Sequence, residues 1–296
     1  MEQSSVKQWL SGISYELAFW NNVYRWHSSP DSMSSWSRHG SQLWLDGMDA
    51  QGFLSRFEHP VVYDVGCGMS YMHGDHLSTP DGDVMLDIHY VDPLAHFYNI
   101  IKRRHGSDMP DIEFGMLEYL SATAGTDCAH LIIIYNALDH SANPMQGIID
   151  ALHALKVGGR IYLCHHPNEA EAEHYKGFHK FNITEEDGVC IIWNKELRID
   201  VESLLKPYAT ISTHRLDNGF IVSVIEKQKA MQMSASFQDE QRHALSSMLE
   251  TMISVCRQPA FATWQVVKYW WYNAIQFFVQ SMSWEHRMRL RRLIYK

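Results

Sequence analysis

The chain has 296 residues, 46% of them apolar and 12% aromatic, with a formal net charge of −9. That content fills a large core and excludes wholesale disorder, while the acidic balance argues against nucleic acid as a substrate, because phosphate backbones are held by clustered Lys and Arg. Five scattered cysteines (Cys67, Cys128, Cys164, Cys190, Cys256) include no CxxC pair, so neither a disulfide framework nor a thiolate zinc site is signalled. No run reaches the roughly 20 apolar residues of a bilayer span, and Glu2 and Glu16 interrupt any leader-like segment, so a cytoplasmic location is expected.

Residues 1–57 read as a helical cap, because Trp9, Ile13, Leu17, Trp20 and Tyr24 recur three or four positions apart, as an amphipathic stripe does. The Ser-rich stretch Ser28–Ser41 reads as an exposed loop. Beyond Pro60, Val61–Val65 is a short buried strand that runs into the turn Gly66-Cys67-Gly68. Ile88–Asp92, Ile112–Phe114 and Leu131–Tyr135 repeat the pattern at helix-length intervals. Arg160–Cys164 follows a helix at Met145–Leu155 and a turn at Lys156–Gly159. Strand alternating with helix predicts parallel pairing. Ala209–Leu216 and Gly219–Lys227, joined at Asp217-Asn218-Gly219, predict a closing hairpin with a type I′ turn. The expected fold is α/β: a doubly wound, mostly parallel seven-stranded sheet with a terminal antiparallel hairpin in residues 58–230, between a helical N-terminal cap (1–57) and a helical, amphipathic, basic C-terminal extension (231–296).

The glycines after the first strand let the backbone turn sharply and approach a ligand, with helix-start amides facing it. Asp92, at the end of the second strand, is placed to accept hydrogen bonds from two ribose hydroxyls, or to cap a helix that begins at Pro93. The segments DVGCG, HYVDP, YNALDH and LKVGGRIYL resemble motifs of the class I S-adenosylmethionine-dependent methyltransferase superfamily over about Val61 to Lys227. HHPNEAEAEHYKGFHKFN resembles a little-described bacterial group within it. The resemblance implies S-adenosylmethionine as cofactor. It places Asp64, Gly66, Cys67 and Gly68 on the methionine side, Asp92 and Pro93 at the ribose, Met116, Leu117 and Glu118 near the adenine, and Asn136 and Ala137 beside the sulfonium. The usual third glycine is Ser70, and the acidic residue often found after the third strand is Met116.

Ligands of open α/β sheets sit beyond the carboxyl ends of the strands, where this chain carries Asp139 and His140 after the fourth strand and His165, His166 and His179 after the fifth. Methyl transfer to a hydroxyl needs an aligned nucleophile and a base for its proton. His140 is the first choice for that base, with Asp139 to orient it; His165, His166 and His179 follow, as acceptor-binding or alternative groups. The mixture of polar and aromatic residues suits a glycan or similar polar hydroxyl acceptor. His165, His166, Glu169 and His174 are ligand types, but their spacing matches no HExxH pattern, and no metal is expected.

From Trp264 to Trp284 one helical face carries Val267, Trp271, Ala274, Phe278 and Met282, and the other Gln265, Lys268, Tyr272, Gln276, Gln280 and Ser283. A basic run follows, Glu285–Lys296. Such a terminus suits an anionic inner membrane surface, which favours a lipid-linked glycan as acceptor. Packing on the domain or in a homo-oligomer is the alternative. Two rival functions stand beside methyl transfer. One is a membrane-associated scaffold with a degenerate methyltransferase fold; the other is a nicotinamide-dependent oxidoreductase, against which the hairpin and the missing GxGxxG count.

Overall fold

A computed structural model describes residues 3–27, 37–80, 82–175, 177–283, 286, 287 and 289. The chain opens with helices α1 (Gln3–Leu10) and α2 (Ile13–Trp26). The expectation of helix throughout 1–57 holds only in part. Residues 37–48 run extended through isolated bridges, and only Ala50–Leu54 is helical again. Gly40 and Gly47 both take positive φ there, which ends helix locally, and Leu43 and Leu45 are buried under the sheet. Most of the Ser28–Ser41 stretch and of the basic run Glu285–Lys296 lies outside the described residues.

The first parallel strand, β1 (Val61–Val65), is followed by a small hairpin, β2 (His76–Thr79) and β3 (Gly82–Met85), and then by β4 (Asp87–Asp92). Helix α3 (Ala95–Arg104) leads to the short β5 (Glu113–Phe114). Strand β6 (Ala129–Tyr135), helix α4 (Pro144–Ala154) and strand β7 (Leu155–His165) complete the parallel set. The turn expected at Lys156–Gly159 is instead part of β7. Its register against β6 shifts between Ala129 and Leu131, and Gly158 supplies the left-handed residue (φ 79°) that such an irregularity uses.

Between β7 and the closing hairpin lies a second sheet that the sequence reading did not find: β8 (Asn182–Glu186), β9 (Val189–Trp193) and β10 (Arg198–Asp200), all antiparallel. Asp187 and Gly188, both at positive φ, join β8 to β9 by two residues, the conformation of a type I′ turn. The closing hairpin is β11 (Ala209–Arg215) and β12 (Ile221–Lys227). Its turn is not type I′. Asn218 keeps negative φ and Gly219 alone is left-handed (φ 90°), while the Leu216 amide donates to the Phe220 carbonyl at 2.8 Å across a three-residue loop.

The main sheet has the order β11-β12-β7-β6-β1-β4-β5, with β12 the one strand reversed. Alternation along the strands splits two cores. Ile132, Ile134, Ile161 and Leu163 pack with α4 and with Ile183 and Ile192 of the second sheet. Leu131, Ile133, Tyr162 and Cys164 pack on the other face with Leu43, Phe53 and Leu54. A third cluster joins α1, α2 and α3 to two long helices, α5 (Phe237–Cys256) and α6 (Pro259–Ser281).

Helix α6 is turned against expectation for a helix in water. Its polar side faces the protein: the Asn21 and Asn22 side-chain amides donate to Asn273 Oδ1, each at 2.9 Å, Lys268 Nζ donates to the Ser11 carbonyl, and Gln276 and Gln280 are buried. Its apolar side faces outward, with Trp264, Trp270, Trp271 and Phe278 each more exposed than buried.

Candidate active site

Strand β1 pairs with β4 on one side and β6 on the other, so the carboxyl ends of β1 and β6 flank the point where strand order reverses, the usual ligand crevice of such sheets. Gly66 is left-handed (φ 73°), and a Cβ there would lie 2.5 Å from that of Ala137 at the end of β6. Gly68 is also left-handed (φ 58°), and its amide donates to Asp92 Oδ2 at 3.1 Å. The Leu94 amide donates to Oδ1 of the same carboxylate at 2.7 Å. Asp92 therefore ties the glycine turn to the start of the segment leading into α3. Burial raises Asp64 to about 7, with the neighbouring Asp92 charge adding to it. Burial likewise raises Asp92 to about 7, against the two amide bonds, and Glu16 raises it further.

Helix α2 lies across this turn. The Trp20 ring comes within 2.9 Å of where a Cβ on Gly68 would stand. The Trp20 indole donates to Glu16 Oε1 at 2.8 Å, and the Tyr24 hydroxyl to the Met69 carbonyl at 2.9 Å. Sequence reasoning treated Trp20 and Tyr24 as cap stripe and did not place Glu16 at all; their four-residue spacing was the available signal. Met116 packs among the helices, and Leu117 turns into the core against Gly147. Glu118 accepts from the Ala142 and Asn143 amides at 2.6 and 3.1 Å and so fixes the loop after β6. Asn136, left-handed at φ 48°, accepts from the His166 amide through Oδ1 at 3.2 Å.

That loop carries Asp139 and His140, and the segment ahead of β8 brings His179 against them. His179 Nδ1 lies 2.7 Å from Asp139 Oδ2, His140 Nε2 lies 3.2 Å from His179 Nδ1, and His140 Nε2 lies 3.5 Å from Asp139 Oδ2. Asp139 is thus paired most closely with His179, forty residues on, and not with its neighbour His140. Trp9 of α1 donates to the His140 carbonyl at 3.0 Å, and Phe178 packs on both the Trp9 and His140 rings. Buried His165 stands within the field of Asp139, and burial outweighs that charge and pushes its imidazole down to about 4, so the ring is neutral. His166 does not join the group: it is exposed and its ring lies 4.0 Å from that of Phe220. Among the described residues, Asp139 Oδ1, both ring nitrogens of His165, Asn168 Oδ1 and Glu169 Oε2 are buried without a hydrogen-bond partner.

No family model and no curated protein matches the chain. Similar solved structures include an S-adenosylmethionine-dependent methyltransferase from Aquifex aeolicus, at 9% identity over 69% of this chain and 97% of that one, TM-score 0.37. Another, from Clostridium acetobutylicum, is 11% identical over 62% and 94%, TM-score 0.36. A 16S rRNA N2 G1207 methyltransferase from T. thermophilus, in complex with AdoMet and guanosine, is 14% identical over 64% of this chain, which spans 41% of its length, TM-score 0.33. Overlaps this loose carry no argument about activity. The strand order does carry the architecture: five parallel strands, reversing at β1/β6, closed by a hairpin whose last strand inserts beside β7. This is a doubly wound, Rossmann-like α/β fold. In that fold the residues at Gly66–Gly68, Asp92 and Ala137 border the switch point; Asp139 and His140 follow on the loop after β6, and His179 joins them from the segment ahead of β8. No helix of the described residues is long and apolar enough to cross a membrane.

Proposed function

We propose that the chain is an S-adenosylmethionine-dependent methyltransferase that acts on a hydroxyl of a glycan or similar polar acceptor. One observation carries the reading: a left-handed glycine turn bonded to a strand-end carboxylate at the switch point, with a carboxylate–imidazole group on the adjoining loop. Asp64, Gly66, Cys67 and Gly68 hold the methionine part, Asp92 and Pro93 the ribose side, Met116 and Leu117 the adenine side, and Asn136 and Ala137 border the sulfonium. Held there, S-adenosylmethionine would supply an electrophilic methyl group to the acceptor oxygen, whose proton would leave to a base. The Asp139–His140–His179 group is placed to ease that deprotonation, with His165 on the acceptor side.

The outward apolar face of α6 supports the second half of the proposal, that the enzyme works at a lipid surface. Exposed Trp, Val and Phe on a helix whose polar side is bonded inward are stabilised by a headgroup–acyl boundary, and the Arg-rich sequence after it is drawn to anionic lipid. A lipid-linked acceptor follows. Calorimetric titration with S-adenosylhomocysteine tests the cofactor: saturable binding that is lost in Asp92→Ala, shown folded by circular dichroism, supports the pocket, and unchanged binding in that variant rejects it. Sedimentation with phosphatidylglycerol vesicles tests the surface: binding that survives Trp270→Gln and Trp271→Gln overturns it.

Trp20 against Gly68 and the two amides on Asp92 favour a second reading, a membrane-associated scaffold whose cofactor crevice is filled by its own N-terminal helix. Vesicle binding without any binding of S-adenosylhomocysteine is its signature.

A further inference from the structure

The three donor atoms of the Asp139 group do not make a complete hydrogen-bond set. His179 Nδ1 is in reach of both Asp139 Oδ2 and His140 Nε2, yet one ring nitrogen carries at most one hydrogen in its plane. If that hydrogen goes to the carboxylate at 2.7 Å, His140 Nε2 is left against the side of an occupied N–H, and its own route to Oδ2 is 3.5 Å long. If it does not, carboxylate and imidazole face each other with lone pairs. With Nδ1 of His179 deprotonated, Asp139, His140 and His179 each offer one ligand atom, and these atoms lie within 4.8 Å of one another.

We propose that Asp139 Oδ2, His140 Nε2 and His179 Nδ1 bind a divalent first-row metal cation. Bonds of about 2.0–2.1 Å in a tetrahedral arrangement set neighbouring ligand atoms about 3.3 Å apart. The observed edges are 2.7, 3.2 and 3.5 Å; the last two already fit, and the Asp139–His179 edge opens on binding to about 3.3 Å. A second observation points the same way. Asp139 Oδ1 and both nitrogens of His165 are unpaired, and Asp139 and His165 are each 1% exposed. Two imidazoles and one carboxylate suit Zn²⁺, Fe²⁺ or Co²⁺ better than Mg²⁺ or Ca²⁺, which take oxygen ligands.

His140 and His179 are the partly exposed edge of the triangle, with 27% and 19% of their side chains accessible, so the fourth position faces outward. Three protein ligands and an open position are the arrangement of a catalytic, not a structural, site. The metal assignment rests on these side chains alone; its use rests on the methyltransferase reading. There, the acceptor hydroxyl takes the open position, coordination makes it more acidic, its proton leaves to water, and the histidines serve as ligands.

The test is titration of the full-length, chelator-treated protein with CoCl₂ and ZnCl₂. The expected result is one saturable equivalent, with the visible ligand-field absorption of tetrahedral Co²⁺, displaced by Zn²⁺. Affinity falls at least about tenfold in His140→Ala and in His179→Ala and is unchanged in His166→Ala, with circular dichroism confirming folded variants. Absence of a saturable equivalent, or wild-type affinity in both ligand variants, overturns the proposal. Binding of S-adenosylhomocysteine is measured in parallel. Cofactor binding without metal uptake removes the metal site alone, whereas metal uptake without cofactor binding leaves the site and removes the methyltransferase reading.

Discussion

The glycine turn and the histidine loop adjoin each other and treat their buried polar groups in opposite ways. At the turn, Asp92 receives two backbone amides, so its carboxylate holds two segments of chain together. Around the loop, one oxygen of Asp139 and both nitrogens of His165, at the end of β7, have no hydrogen-bond partner in the protein. A buried acceptor left unpaired costs about 1–3 kcal/mol, whereas a paired one is close to neutral. A chain that satisfies the first region and leaves the second unsatisfied has placed its architecture at the turn and its chemistry on the loop.

The turn is where substitution breaks most. Gly66→Val combines a left-handed φ of 73° with a 2.5 Å clash against Ala137, and is expected to lower Tm by about 10 °C or prevent folding. A melting curve like that of the wild type would end the account of the turn. On the loop the effect moves from folding to rate: His140→Ala is expected to lower turnover by about 100-fold or more, with S-adenosylhomocysteine affinity within about threefold. Equal losses in both would make the loop architectural too.

Smaller effects sharpen the contrast. Asp92→Asn keeps the shape but sets an amide NH₂ against one of two backbone N–H donors, a cost of about 1–3 kcal/mol visible as a lower denaturation midpoint. Asp64 has the gentlest test. Its carboxyl is raised from 3.8 to about 7 in the fold, so between those values the native state holds a proton that the unfolded chain has released. Its contribution to stability therefore falls as pH rises through that window. Asp64→Asn is expected to melt a few degrees above the wild type at pH 8, the gap closing below about pH 4; a gap that does not vary with pH would place the carboxyl outside the buried pair.

The fold was legible where a local rule suffices. Short β-branched strands ending in glycine, with helix-length intervals between them, led to five parallel strands and a closing hairpin, within two residues of their observed ends except at the start of β7, which begins five residues earlier, at Leu155. Local rules misled where two sites compete for one signal. Asn218-Gly219 looked like a type I′ turn and is a three-residue loop, while Asp187-Gly188 is the two-residue turn of a sheet that went unread, because Val189–Trp193 sits among charged residues and resembles a lone apolar patch.

The sequence by itself determined the glycine turn, the carboxylate at the end of the next parallel strand, and the two faces of α6, because backbone freedom, strand period and helical spacing are properties of a few neighbouring residues. Only tertiary structure decided that Asp139 pairs most closely with His179 and not with His140, that His166 turns away, that Trp20 lies on Gly68, and that α6 shows its apolar side outward. Each of those depends on which elements pack together, and residues forty or two hundred positions apart carry no mark of that in their local order.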